Sequence, residues 1–108
     1  MTVLATCPNV SVKLGGLTMR LAAYDYLKTK APPTSAELAD FWRPYASTCI
    51  ELFGAGRCMV ESNFPVEKMG IGYAGLWNAL KRIAAGASAD EKRAVFSETA
   101  QRVYRLDF

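Results

Sequence analysis

The spacing of apolar positions changes several times along the chain. Val10-Ser-Val-Lys-Leu14 is short and β-branched, preceded by Pro8-Asn9 and closed by Gly15-Gly16. That pattern predicts a strand running into a loop. From Leu17 to Lys30 the apolar and aromatic residues keep no clean period, so a loop with a helical turn near Leu21 to Lys28 is expected. Thr34-Ser-Ala-Glu37 has the form of a capping box, in which a hydroxyl and a carboxylate satisfy the orphan amides of a helix start. Leu38, Phe41, Trp42, Tyr45, Cys49, Leu52 and Phe53 then recur at helical spacing. Pro44 lacks an amide hydrogen and is expected to open a second helix. Gly54 and Gly56 predict the end of that helix. Arg57 is expected to hold the turn into Cys58-Met-Val-Glu61, a short buried strand.

Ser62-Asn-Phe-Pro65 stops this strand, and the stretch through Met69-Gly-Ile-Gly72 reads as a loop able to shape a pocket. Tyr73, Leu76, Trp77, Leu80, Ile83 and Ala84 make a helical stripe that ends at Gly86. Ser88-Ala-Asp-Glu91 is a second capping box. The helix it starts is expected to bury Val95, Phe96, Thr99, Ala100, Val103 and Tyr104, with Arg102 and Arg105 near its negative end. Two strands joined by a helical connection of this length imply a parallel pair with a right-handed crossover. Parallel strands need cover on both faces and neighbours on both edges. The unit is therefore expected to be completed by residues beyond the chain or by another copy. No repeat or linker divides it, so 1–108 reads as one partial domain.

With 51% hydrophobic residues over 108 positions the chain has the composition of packed structure. Thirteen basic and ten acidic residues, a net charge of +3, are scattered without a block of one sign, which excludes an electrostatic footprint for nucleic acid. No apolar run approaches the roughly 20 residues of a membrane span, and a cytoplasmic protein is expected. Three cysteines at unrelated spacings suit neither a disulfide framework nor a metal knuckle. Histidine is absent altogether. This excludes catalytic triads and histidine-based metal sites within the chain.

Three stretches together resemble the C-terminal third of the amidohydrolase-related family, lactonases and decarboxylases built on a metal-dependent barrel. Asn9 to Leu17 is similar to the family's seventh strand and its loop. Phe53-Gly-Ala-Gly-Arg-Cys-Met-Val-Glu-Ser-Asn-Phe-Pro-Val66 is similar to the eighth strand, and Glu98 to Leu106 to the closing helix. The middle stretch is the specific one. The resemblance implies an α/β fold: the C-terminal fragment of a (β/α)8 barrel, two parallel strands with several helices. A complete barrel has about 250 residues or more. It also implies a hydrolase acting on a small carbonyl substrate such as a lactone, with no activity expected of this chain alone. The family's histidine ligands lie on strands upstream of this chain, so no cofactor is expected here, and a divalent metal such as zinc belongs to the full-length protein. Expected partners are a small-molecule substrate and either the missing N-terminal part of the barrel or a second copy, with no nucleic acid and no membrane.

Active sites of such barrels lie at the C-terminal ends of the strands, which places Lys13 to Leu17 and Glu61 to Pro65 at the rim. Metal-bound members have Ser-Asp-aromatic-Pro at the end of the eighth strand, where the aspartate binds metal and shuttles a proton. Here the sequence is Ser62-Asn63-Phe64-Pro65. Asn63 takes the catalytic position as an amide, which can orient water but cannot be a general base. Lys13, Glu61 and Ser62 are the expected substrate-binding residues. By strand parity Glu61 faces the same side as Met59 and Asn63. Glu61 is read either as a base or as the partner of Lys13 in an internal ion pair that limits the desolvation cost of both charges. Ser62 is read either as a substrate donor or as a structural hydroxyl, and the aromatics of the helical stripes as packing residues. Two rival readings remain open, a metal-free ligand-binding barrel remnant and a small helical interaction protein.

Overall fold

A computed structural model describes residues 1–18 and 32–107. The helical turn expected near Leu21 to Lys28 lies outside the described residues. In chain order the elements are α1 (Thr2–Ala5), β1 (Val12–Leu14), α2 (Ser35–Phe53), β2 (Cys58–Val60), α3 (Tyr73–Ile83), α4 (Ala89–Arg93) and α5 (Thr99–Tyr104). A tight 3-10 turn, Ala55–Arg57, leads into β2, and another, Val66–Met69, follows it. The two strands pair in parallel, with Val12 opposite Cys58, Lys13 opposite Met59 and Leu14 opposite Val60.

This alternation gives the sheet two chemically different faces. Val12, Leu14 and Cys58 pack in one apolar cluster with Phe53 and Val95. Val60 packs against a second cluster of Leu17, Leu38, Ala39, Ile71, Leu76, Ala79 and Leu80, drawn from the loop after β1, α2, the loop after β2 and α3. Phe96 touches both clusters and joins them. Lys13, Met59 and Glu61 take the opposite parity. Val12, Leu14, Cys58 and Val60 thus face the two helix clusters, and Lys13 and Glu61 rise from the other side, where Met59 is also buried.

Both capping boxes form. Thr34 Oγ1 accepts from the Glu37 amide at 3.1 Å while Glu37 Oε2 accepts from the Thr34 amide at 3.3 Å. Ser88 and Glu91 make the same reciprocal pair at 3.1 and 3.2 Å. The helix stripe of α3 is also as expected, with Leu76, Ala79 and Leu80 buried.

Two expectations require correction. Pro44 does not open a second helix; it lies inside one continuous helix, α2. Proline there removes the hydrogen bond to the carbonyl four residues earlier. Asp40 and Pro44 are both exposed, so water can satisfy that carbonyl, and the apolar stripe on the other side of α2 keeps the helix whole. The last helix also departs from its regular period. Between α4 and α5 the backbone makes a π turn, Ala94–Glu98, which inserts an extra residue into the helical count. Val95 and Thr99 face inward, whereas Val103, on the face of Thr99, and Tyr104 are exposed because the whole end of the helix from Arg102 on lies at the surface. The short α1 was not foreseen. Among the described residues no helix is long and apolar enough to cross a membrane.

Candidate functional site

The loops that leave β1 and β2 lie side by side because small residues let them. A Cβ added at Gly15 would lie 2.2 Å from Glu61 Cγ and 2.9 Å from the Glu61 carbonyl oxygen. Glycine at this point allows the Glu61 amide to donate to the Leu14 carbonyl at 3.1 Å, carrying the pairing one residue past the strands. Just beyond, Trp42 Nε1 donates to the Leu17 carbonyl at 2.8 Å, which fixes the loop to α2. Trp42 serves packing and loop support, as its place in the stripe suggested.

On the side of Lys13 and Glu61 the rim residues meet as a chain. Lys13 Nζ stands 2.5 Å from Glu61 Oε2, and Asn63 Nδ2 donates to Glu61 Oε1 at 2.9 Å. Both carboxylate oxygens of Glu61 are therefore engaged, which favours the ion-pair reading over the general-base reading. The pair is less enclosed than an internal barrel pair: the Lys13 side chain is 50% exposed and that of Glu61 24%. The Glu61 hydrogen bond and charge, with the Tyr104 hydroxyl adding to them, hold the Lys13 ammonium above its ordinary pKa. Replacing Glu61 with glutamine is expected to bring the Lys13 titration back down; NMR of the lysine ε-carbon against pH measures it.

Asn63 has φ 48, in the left-handed region that asparagine tolerates better than most residues. Its amide nitrogen has a task that aspartate could not perform. A carboxylate in its place would face Glu61 with like charge and no donor. Ser62 turns inward on the backbone, its Oγ accepting from the Phe64 amide at 3.4 Å. That is the geometry of a local turn hydroxyl. Lys13, Glu61 and Asn63 are thus brought into one line, and Ser62 stands beside it.

A buried acid joins this rim that sequence reasoning passed over as a loop residue. Glu67, in the turn after β2, is 0% exposed. Its Oε1 accepts from the Thr18 amide at 3.2 Å, and Thr18 Oγ1 donates to its carbonyl at 3.2 Å. Its Oε2 is buried with no hydrogen-bond partner. Burial raises its pKa, against the opposing pull of the Thr18 and Leu17 amides and with a further push from Glu61.

Among the described residues no three of His, Cys, Asp and Glu gather to hold a metal. The donors do not fit one: Glu61 is committed to Lys13 and Asn63, and Glu67 is closed off. The three cysteines are free. Cys58 is buried, and burial pushes its thiol up to about 11, far from a reactive thiolate. An apolar cavity of about 250 Å³ lies between the helices and the sheet, lined by Val12, Leu14, Ile50, Val60 and Leu80 among others. Lys13 and Gly15, both against Glu61, also line it, so it opens next to the rim.

A parallel strand pair packed against helices, with a polar rim at the strand ends, is the architecture of a barrel segment. The family model described as Amidohydrolase matches residues 1–106, and the chain belongs to that family. It is 38% identical over 106 residues to the uncharacterized protein y4mH of Sinorhizobium fredii (strain NBRC 101917 / NGR234), covering 98% of this chain and 31% of that protein. Among solved structures it is similar to an amidohydrolase from Burkholderia multivorans, seen with bound zinc and, in another crystal form, with bound HEPES. Each matches with TM-score 0.84 and 27% identity, over 98% of this chain and 35% of the other. The chain thus spans about a third of the length of these relatives, and its fold is that of an amidohydrolase barrel fragment.

Proposed function

We propose that this chain forms the closing wall of an amidohydrolase-type pocket for a small carbonyl compound such as a lactone, and that it is inactive until the rest of a barrel stands against it. The carrying observation is the line Lys13–Glu61–Asn63 at the ends of two parallel strands whose pairing is limited, among the described residues, to one another. Asn63 spends its Nδ2 on Glu61, which leaves Oδ1 to accept from a water or a substrate hydroxyl. Lys13 keeps exposed ammonium surface toward the same side and can attract an anionic group on the substrate. Proton abstraction belongs to neither residue. In zinc-holding relatives a metal would polarise the carbonyl and activate water; its ligands would come from outside this chain. Three free thiols fit a reducing compartment such as the cytoplasm.

The test is complementation. The chain and the complementary two-thirds of the Sinorhizobium relative are purified separately, mixed with zinc and assayed on a panel of sugar lactones. Neither part alone is expected to turn over, and the mixture is expected to hydrolyse at least one lactone as a one-to-one complex. Turnover by the chain alone, or an inert one-to-one complex, overturns the proposal. The committed state of Glu61 and the amide at position 63 favour a second reading, a barrel that binds such compounds without hydrolysing them. Lactone binding by the complex with no turnover supports that reading.

A further inference from the structure

We propose that Glu67 is the positioning residue of this rim: its wholly buried side chain straps the loop after β1 to the turn after β2 and so sets where Asn63 stands. The inference rests on the rim being the working end of the chain, as proposed above. Three hydrogen bonds join the segments, one through the Glu67 carboxyl and two through its backbone, which the buried carboxyl holds in place. The Thr18 amide donates to Glu67 Oε1 at 3.2 Å, Thr18 Oγ1 donates to the Glu67 carbonyl at 3.2 Å, and the Glu67 amide donates to the Asn63 carbonyl at 3.3 Å. The third bond passes directly to the residue whose side chain reaches Glu61. The Glu67 carbonyl also accepts from the amides of Gly70 and Ile71 at 2.9 and 3.1 Å, closing its own turn around the strap. Gly70 permits the approach, since a Cβ there would lie 2.4 Å from Thr18 Cβ.

A carboxylate is an unusual choice for such a place. Among the described residues no cation pairs with Glu67. Of the charged groups around it, Glu61 acts on it with like sign, no titratable group stands at Thr18 or Leu17, and Lys68 beside it in the turn is exposed. An ion in that setting would be compensated only by the Thr18 and Leu17 amides, and burial outweighs them. Burial thus shifts the side chain toward the neutral acid, while Oε1 accepts from the Thr18 amide. Ionisation would put a second negative charge into the rim and loosen the strap. The raised pKa makes the strap sensitive to pH. Because its folded-state pKa is raised, the stability from Glu67 is fully present below the ordinary carboxylate pKa of about 4.3 and is lost as the pH rises through the folded-state pKa.

Glutamine is the isostere of the neutral acid, so E67Q and E67A separate the strap from mere space filling. In the wild-type chain, the side-chain NH2 resonances of Asn63 are expected to shift with pH in a step above the ordinary carboxylate range. Thr18 amide exchange, corrected for its intrinsic pH dependence, is expected to rise about tenfold across that step. In E67Q the step vanishes and Thr18 stays protected. In E67A, Thr18 exchange is about tenfold faster at every pH. The urea midpoint of E67Q relative to wild type is expected to increase as the pH rises. If E67A does not fold, Thr18→Val, which deletes only the Oγ1 donor, is expected to displace the Asn63 resonances while E67Q does not at acid pH. An Asn63 signal that lacks the step in wild type, or keeps it in E67Q, overturns the proposal. These readouts need no substrate, so they stand apart from the outcome of the complementation assay.

Discussion

Arg57→Ala is expected to lower the unfolding free energy by about 4 kcal/mol, the largest loss from any single polar side chain here. One guanidinium gathers carbonyls from two distant stretches of chain. Nε donates to the Phe53 carbonyl at 3.0 Å, Nη1 to Cys7 at 2.9 Å and Val10 at 3.4 Å, and Nη2 to Ala5 at 2.9 Å. Its plane also lies over the Phe53 ring, 5.2 Å from the centroid. Truncation frees several partly buried acceptors at once and detaches the segment from α1 to β1 from the turn before β2. Hydrogen bonds to charged groups are worth about 1.5–3 kcal/mol each and do not add fully, which places the loss near the stated value. Arg57→Lys keeps the charge but not the fork and is expected to recover less than half. Urea unfolding followed by circular dichroism measures both; a loss under about 1 kcal/mol for alanine would show that water replaces the guanidinium at little cost.

Gly15→Ala is expected to cost about 3 kcal/mol, at the upper end of what overpacking does. The clash is with the Glu61 backbone as well as its side chain, so a rotamer change alone cannot relieve it. The strand ends must part, and the Lys13–Glu61 pair must lengthen with them. Gly56→Ala is the control: nothing lies within 4 Å of an added Cβ there, and its effect is expected to be neutral or slightly stabilising. Equal losses for the two variants in urea unfolding would remove the close approach at Gly15 as the cause.

Much of this was legible because it is local. The two capping boxes are four-residue statements, and each formed as written. By strand parity Glu61 shared a side with Met59 and Asn63, which set it on the rim. The Lys13–Glu61 pair followed from parity and strand adjacency, although its exposure did not, since nothing in the residues says how much of a barrel covers them. What remained hidden depends on distant partners. Glu67 sits in Val66-Glu-Lys-Met69, which has the look of a solvated turn, and only Thr18, 49 residues away, makes it a buried acid. The small residue at Gly70 is the one trace of that approach in the sequence. Arg57 was expected to hold a turn, and it holds two segments. Pro44 misled because a rule about backbone hydrogen bonding was applied without knowing that its side of α2 is wet.

The π turn at Ala94–Glu98 has a consequence for aligning chains of this kind. One surplus residue rotates every later side chain by about 100°, the angle of a single helical step. Positional equivalence upstream and downstream of that point obeys two different phases. A comparison that carries one uninterrupted heptad through the closing segment will pair an inward methyl with an outward hydroxyl. The two halves must be aligned separately before any site on the final turns is assigned a counterpart.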